Sequence, residues 1–125
     1  MTFILEPYVL DAYAAAVAAC RVPLHDEAAA QDALFEALRG RRFTIEREVR
    51  LGPGERVDFL LAGCIALEVK VKRAWSKPGV LRQLRRYAAH ERVAGLVLAS
   101  NLAMHLPPEI EGKPALAVSL GRAWL

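Results

Sequence analysis

Apolar and polar residues alternate along a stretch near the middle of the chain. From Ile65 to Val71 every second residue is apolar, and Glu68 and Lys70 occupy positions between them. A period of two is typical of a β-strand whose two faces differ. The stretch 56–61 before it is also rich in strand-forming residues, and a glycine separates the two. The pattern therefore predicts a hairpin with Glu68 and Lys70 on the same face.

The other periodicities predict helices and further strands around this hairpin. Helices are predicted for residues 7–20, for 27–39 and for about 80–92. Strands are predicted for 43–51, 95–100 and 115–120. A meander of three strands followed by a crossover helix indicates an α/β fold with a mixed central sheet flanked by helices.

Two acids and a lysine on an otherwise apolar hairpin have two explanations. In the first, Glu68 and Lys70 are solvated neighbours on an exposed polar face. In the second, they belong to a metal site, because an unpaired buried charge is costly and Mg²⁺ prefers carboxylate oxygens. Asp58 and Glu68 would then bind the metal, and Lys70 would orient or help deprotonate the attacking water.

The turn of the hairpin decides whether Asp58 can share an ion with Glu68. Directly opposed residues of antiparallel strands point to the same side. A two-residue turn would pair Asp58 with Leu67 and separate the two carboxylates. A three-residue turn at 62–64, or a bulge, would pair Asp58 with Glu68. The metal site therefore requires the three-residue turn or the bulge, with Gly63 free to take positive φ.

The helix predicted for residues 80–92 carries polar residues beside its apolar face. Gln83 and Tyr87 are four residues apart and are therefore neighbours on the helix surface. One interpretation is an ordinary amphipathic helix whose tyrosine lies in the core. The other is a phosphate channel, bordered by Arg82 and Arg86.

The helix predicted for residues 27–39 contains two acids on opposite sides. Glu27 begins the apolar stripe, whereas Glu36 falls opposite and is expected to face solvent. An acid near a helix N-terminus is favoured by the helix dipole alone, which is one explanation of Glu27. A contribution to the site on the hairpin is the other.

Composition changes this picture only moderately. A chain of 125 residues suits one domain with one core, and its net charge of +3 is mild. The basic residues are concentrated, because eight of them and a single acid lie between residues 70 and 92. Such a segment can neutralise the phosphates of a nucleic acid, although a solvated face is the alternative.

The cysteines and the N-terminal residues exclude other classes of protein. The two cysteines are far apart and form no Cys-x-x-Cys pair, which argues against a zinc site and a disulfide framework. We interpret them as reduced, buried thiols of a cytoplasmic protein. The apolar run 12–20 is too short to span a bilayer, so no membrane partner is expected.

The hairpin resembles the core of the PD-(D/E)xK nuclease superfamily, which carries an Asp on one strand and a Glu-x-Lys on the next. Here Asp58 is followed, after nine residues, by Glu68-Val69-Lys70. Val57 stands where the motif has proline. The segment 83–87, Gln-Leu-Arg-Arg-Tyr, looks like the Gln-x-x-x-Tyr helix of RecB-like members. Glu27 falls on the helix where members often carry an additional acid.

The resemblance extends over about residues 25–100, and is to small phage-type nucleases and Holliday junction resolvase-like proteins. It implies a restriction-endonuclease-like αβββαβ core within a single domain, residues 1–125. Residues 1–24 would be an N-terminal extension, and residues 101–125 a C-terminal connection and strand.

The activity implied by the resemblance is Mg²⁺-dependent hydrolysis of DNA phosphodiesters, with Mn²⁺ as a substitute. Asp58, Glu68 and the carbonyl of Val69 would bind the metal. Glu27 would act through a water or a second ion. The remaining catalytic residues implied are Lys70, Gln83 and Tyr87. The residues expected to contact the DNA backbone are Lys72, Arg73, Lys77, Arg82 and Arg86.

Among these activities, a structure-selective endonuclease that acts as a homodimer is our first expectation, because two symmetric cuts suit a junction. A single-strand DNA exonuclease is one alternative. A catalytically silent nucleic-acid-binding module on the same fold, or a purely structural domain, are others. The sequence leaves open whether the substrate is single-stranded, duplex, flap or junction DNA.

Overall fold

The computed structural model describes residues 4–71, 75–102 and 104–121. The helices of these residues are α1 (Pro7–Ala18), α2 (Glu27–Gly40) and α3 (Lys77–Ala88). The strands are β1 (Ile45–Gly52), β2 (Glu55–Leu61), β3 (Ile65–Lys70), β4 (Gly95–Ser100), β5 (Glu109–Ile110) and β6 (Lys113–Ser119).

The strands form one mixed sheet in the order β1-β2-β3-β4-β6-β5. The first three strands are antiparallel neighbours, whereas β3, β4 and β6 run parallel. The short strand β5 pairs antiparallel with β6. The predicted α/β class, with a mixed sheet flanked by helices, is confirmed.

Most predicted elements are present, and the differences lie at their ends. Helix α3 begins three residues earlier than predicted, because Ser76 caps it by accepting a hydrogen bond from the Gly79 N–H and Pro78 suits its first turn. It ends at Ala88 rather than near Arg92. Helix α1 ends at Ala18, two residues early. Strand β5 was not predicted, since two residues are too few to show a period.

The sheet separates two apolar cores. Helices α1 and α2 cover one face, where Leu34 packs with Leu67 in the first core. Helix α3 covers the other face, where Leu84 and Tyr87 pack with Ala66. The alternation predicted for β3 explains this division, because successive side chains of a strand point to opposite faces.

The turn between β2 and β3 has the predicted length. Leu61 pairs with Ile65, which leaves three residues in the turn. The Cys64 N–H donates to the Leu61 carbonyl over 3.0 Å. Gly63 has φ 75°, as predicted, and Ala62 has φ 53°, a left-handed conformation that is costly for a residue with a Cβ. Continued beyond the paired residues, the same register sets Asp58 opposite Glu68.

Strand β2 leaves β3 at Asp58. The β2–β3 ladder ends at Phe59, whereas β2 continues to pair with β1 as far as Glu55. Glu48, which lies opposite Asp58 on β1, has φ 49° and interrupts that ladder. Phe59 packs in the first core but Val57 packs in the second. The β1–β2 hairpin therefore twists away from the sheet at the level of Asp58.

The two cysteines lie in the interior of the protein, and most of the apolar run near the N-terminus is helical. Cys20 and Cys64 are both buried and free, as predicted, and burial raises the pKa of both thiols. The apolar run belongs to α1 and the residues after it. Within the described ranges, no helix has the length and apolar character needed to cross a bilayer.

Candidate active site

Residues from four elements meet beside the carboxyl end of β3, where β2 diverges from it. These residues are Glu27 of α2, Asp58 of β2, Glu68 and Lys70 of β3, and Gln83 and Tyr87 of α3. They are the six residues that the sequence predicted to be catalytic. Their roles in a reaction remain a hypothesis.

The carboxylate of Asp58 accepts a hydrogen bond from β3 at a level where β2 no longer supplies a backbone partner. Its Oδ2 accepts a hydrogen bond from the Val69 N–H over 2.9 Å, two residues past the end of the β2–β3 ladder. In antiparallel sheets the N–H and C=O of one residue face the same neighbouring strand, so the Val69 carbonyl also faces this gap. Burial raises the pKa of Asp58 and the charge of Glu27 adds to it, whereas the Val69 N–H and Lys70 lower it.

Glu68 is the most deeply buried charged residue of the site, with 3% of its surface exposed. Its Oε2 lies 3.2 Å from Lys70 Nζ, and its Oε1 lies 3.1 Å from the Tyr87 hydroxyl. Burial, and then the charge of Asp58, raise the pKa of Glu68 to about 7. The first interpretation, solvated neighbours on an exposed face, is therefore wrong for Glu68.

Tyr87 joins α3 to the hairpin. Its ring is buried in the second core, and its hydroxyl accepts a hydrogen bond from Gln83 Nε2 over 2.8 Å. The same hydroxyl lies 3.1 Å from Glu68 Oε1 and 3.2 Å from the Arg56 carbonyl, so one proton serves two acceptors. Burial and the nearby Glu68 charge raise the pKa of Tyr87, which keeps it a neutral donor. Tyr87 is thus both a core residue and a site residue.

Glu27 closes the site from the side of α2. It is the first residue of that helix, after the Asp26 N-cap, and its Oε1 accepts from the Val71 N–H over 3.1 Å. The helix dipole is therefore not its only interaction. Glu36 is exposed and lies 3.9 Å from Arg39, which confirms that it faces solvent.

The predicted DNA-binding residues are only partly described. Lys77, Arg82 and Arg86 are exposed on α3. The Nε of Arg86 lies 2.9 Å from Glu55 Oε1, so this arginine already contacts the hairpin. Lys72 and Arg73 lie outside the described residues.

The site offers few oxygen ligands for a metal. Within residues 4–71, 75–102 and 104–121, no three side chains of His, Cys, Asp or Glu are grouped so as to hold an ion. The donors that fit Mg²⁺ are the carboxylates of Asp58 and Glu68 and the Val69 carbonyl. Glu68 is buried and Asp58 is half-buried. Burial, and then repulsion from the charge of Asp58, raise the pKa of Glu68. A cation between them would relieve that repulsion.

The Val69 carbonyl was predicted as a ligand, but the other backbone groups of the site were not. The amides of Val69 and Val71 and the carbonyl of Arg56 each bind one of the site side chains. Every residue has such groups, so no residue type or spacing marks them.

Comparison with protein-family models, with curated proteins and with solved structures found no match to this chain.

Proposed function

We propose that the chain is a Mg²⁺-dependent DNA nuclease with a restriction-endonuclease-like core of the PD-(D/E)xK type. One observation carries the proposal. Asp58, Glu68 and Lys70 converge where β2 leaves β3, and Glu68 is held by the Gln83–Tyr87 pair of α3. Buried charges that give no obvious benefit to stability are typical of functional sites.

The roles follow from the contacts. Asp58, Glu68 and the Val69 carbonyl would hold the cation, which, when bound, supplies charge stabilisation to the phosphate and the leaving oxygen. Tyr87 donates a hydrogen bond to Glu68 and fixes the direction of its carboxylate. Lys70 contacts Glu68 through one proton of its ammonium group and keeps two others for a water or a phosphate oxygen.

Glu27 and the basic residues complete the proposal. Glu27 holds the end of β3 through the Val71 N–H, which keeps Lys70 in position. Lys77 and Arg82 are exposed on α3 and would bind backbone phosphates without regard to sequence. Among substrates, a DNA junction cut by a homodimer is our first choice, and single-stranded DNA cut by an exonuclease is the alternative.

The test is digestion of single-stranded, duplex, flap and four-way DNA with Mg²⁺ or Mn²⁺. We expect cleavage of at least one substrate, loss of cleavage in the Lys70→Ala variant, and unchanged cleavage in the Glu36→Ala variant. Equal cleavage by the Lys70→Ala variant would show that the nuclease is a contaminant or that the site lies elsewhere.

A second candidate function is a nucleic-acid-binding module without catalysis. It is favoured by the small number of acidic ligands and by Glu68, whose pKa of about 7 leaves it partly protonated at neutral pH. This function predicts salt-dependent DNA binding and no cleavage with either metal.

A further inference from the structure

Two arginines face each other at the end of the β1–β2 hairpin, residues 50–56, which we name the hairpin tip. Arg50 of β1 pairs directly with Arg56 of β2, and both side chains are exposed. Within the described part of the chain neither guanidinium forms an ion pair. Like charges in directly opposed positions destabilise a sheet, so this pair gives the fold no benefit.

The hairpin tip is also concave. Arg50 and Arg56, together with Gly54 and Glu55, line a cavity of about 280 Å³. Gly54 has φ 73°, which allows the tight turn that brings the two strands' ends together. A concave surface with two unpaired guanidiniums is complementary to a small anionic group such as a phosphate.

Two contacts attach the hairpin tip to the candidate active site. The Arg56 carbonyl accepts a hydrogen bond from the Tyr87 hydroxyl, which also contacts Glu68. Glu55 pairs with Arg86 of α3 over 2.9 Å. The backbone of the hairpin tip is therefore held in position relative to the carboxylates and to the basic side of α3.

We infer that the hairpin tip is a second phosphate-binding subsite, which holds the nucleic-acid backbone away from the phosphate that is cut. The inference rests on the proposed function, because it assigns a further part of the same substrate. It excludes a mononucleotide as substrate and requires a strand long enough to reach both places. Arg50 and Arg56 are positioning residues, since neither contacts the carboxylates of the site.

Glu55 opposes binding at this subsite. It carries the one negative charge in the lining of the cavity, and it occupies Arg86. A phosphate must compete with it for that guanidinium. The Glu55→Gln variant should therefore bind DNA more tightly than the unaltered chain, which is the opposite of the effect of removing the arginines.

The experiment measures binding of a fluorescently labelled 30-base-pair duplex by anisotropy, in EDTA and at several salt concentrations. Without metal no cleavage occurs, so binding is observed separately from catalysis. The test variant is the double substitution Arg50→Ala/Arg56→Ala. The matched control is Arg39→Ala/Arg41→Ala, which removes two positive charges from the end of α2, among residues that pack with the first core. Circular dichroism establishes that each variant is folded.

We expect the test variant to bind more weakly and to lower the log–log salt slope by about two, roughly one for each lost phosphate contact. The control should keep the slope, and Glu55→Gln should lower the dissociation constant. If the test variant keeps the affinity and slope of the unaltered chain while DNA is still bound, the inference is wrong and the proposed function stands. If the unaltered chain neither binds nor cleaves DNA, both are wrong.

Discussion

The two ends of the β2–β3 hairpin satisfy their backbone groups in different ways. At the turn, Leu61 and Ile65 face each other in a regular ladder, and their side chains are fully buried in the first core. Two and four residues beyond Leu67, where that ladder ends, Val69 and Val71 donate instead to the carboxylates of Asp58 and Glu27. The first end gains stability from apolar burial. The second end brings charged side chains together. Burying them is costly, but they can bind a ligand.

The difference shows how a sheet can produce a site. Where β2 leaves β3, amides and carbonyls of β3 lose their neighbour and must be satisfied by side chains. Acids do this well, because a carboxylate accepts strongly from an N–H. The same acids then lie close together and are available to a cation. The comparison predicts that substitutions at the two ends will separate activity from stability.

The largest loss of activity is expected from substitution of Asp58 or Glu68. Both lie at the end of the hairpin where β2 has left β3, which we name the open end. The variants Asp58→Ala and Glu68→Ala should each abolish cleavage, because each removes a ligand of the proposed metal. Both should also weaken Mg²⁺ binding, measured by isothermal titration calorimetry, in which Glu36→Ala serves as the control. Cleavage retained by both variants would overturn the assignment of the site.

Leu67 of β3 tests the regular part of the hairpin. It is fully buried in the first core, and Leu67→Ala should lower the free energy of unfolding by about 2–5 kcal/mol. Urea denaturation measures this loss. Cleavage per folded molecule should change little, because Leu67 points away from the face that bears Glu68. A loss of cleavage without a loss of stability would mean that the two ends are not separate.

The end of the hairpin at the turn, where the ladder is regular, could be predicted from the sequence more completely than the open end. Alternation from Ile65 to Val71 gave the strand and its faces, and the requirement that Asp58 and Glu68 share a side gave the three-residue turn. These features follow from a period of two, which is visible as an alternation of apolar and polar residue types. The divergence of β2 at Asp58 does not follow from that period. It coincides with the left-handed backbone of Glu48, and nothing in the sequence marks this glutamate as unusual.

For the helices, too, the sequence pattern predicted local neighbours but not contacts between elements. The spacing of Gln83 and Tyr87 predicted that they are neighbours, and the structure shows their hydrogen bond. That Tyr87 reaches across to Glu68 and to the Arg56 carbonyl depends on how α3 packs on the sheet. Tertiary packing of this kind has no local period, so a single sequence does not reveal it.

Burying the Glu68 carboxylate has an energetic cost that depends on pH. Its pKa rises from 4.5 to about 7 on folding, so the folded state binds the proton more tightly than the unfolded state. The free energy of unfolding must then fall as pH rises between these values. Glu68→Gln cannot ionise, and without metal it should be more stable than the unaltered chain by about 1–3 kcal/mol at pH 8, with the difference vanishing near pH 4.5.

Urea denaturation in EDTA at several pH values measures this difference, and Glu36→Gln is the control because Glu36 is exposed. The control should show no such dependence on pH. If the Glu68→Gln variant is no more stable at pH 8 than at pH 5, relative to the unaltered chain, the Glu68 carboxylate is not strained by burial. The open end would then carry no energetic cost.

The smallest effect is expected at Glu48, where the hairpin turns away from the sheet. Its φ of 49° is unfavourable for a side chain with a Cβ and costs glycine little. Glu48→Gly should therefore raise the free energy of unfolding slightly, by about 0.5–1 kcal/mol. The control is Glu46→Gly, an exposed glutamate in the same strand whose φ is not positive and which also lies 3.4 Å from Arg92. That change should lower stability by about the same amount, because glycine weakens a regular strand. Chemical denaturation of the two variants shows whether each change raises or lowers the free energy of unfolding. If both lose stability equally, Glu48 is not strained, and the divergence of the hairpin at Asp58 has another cause.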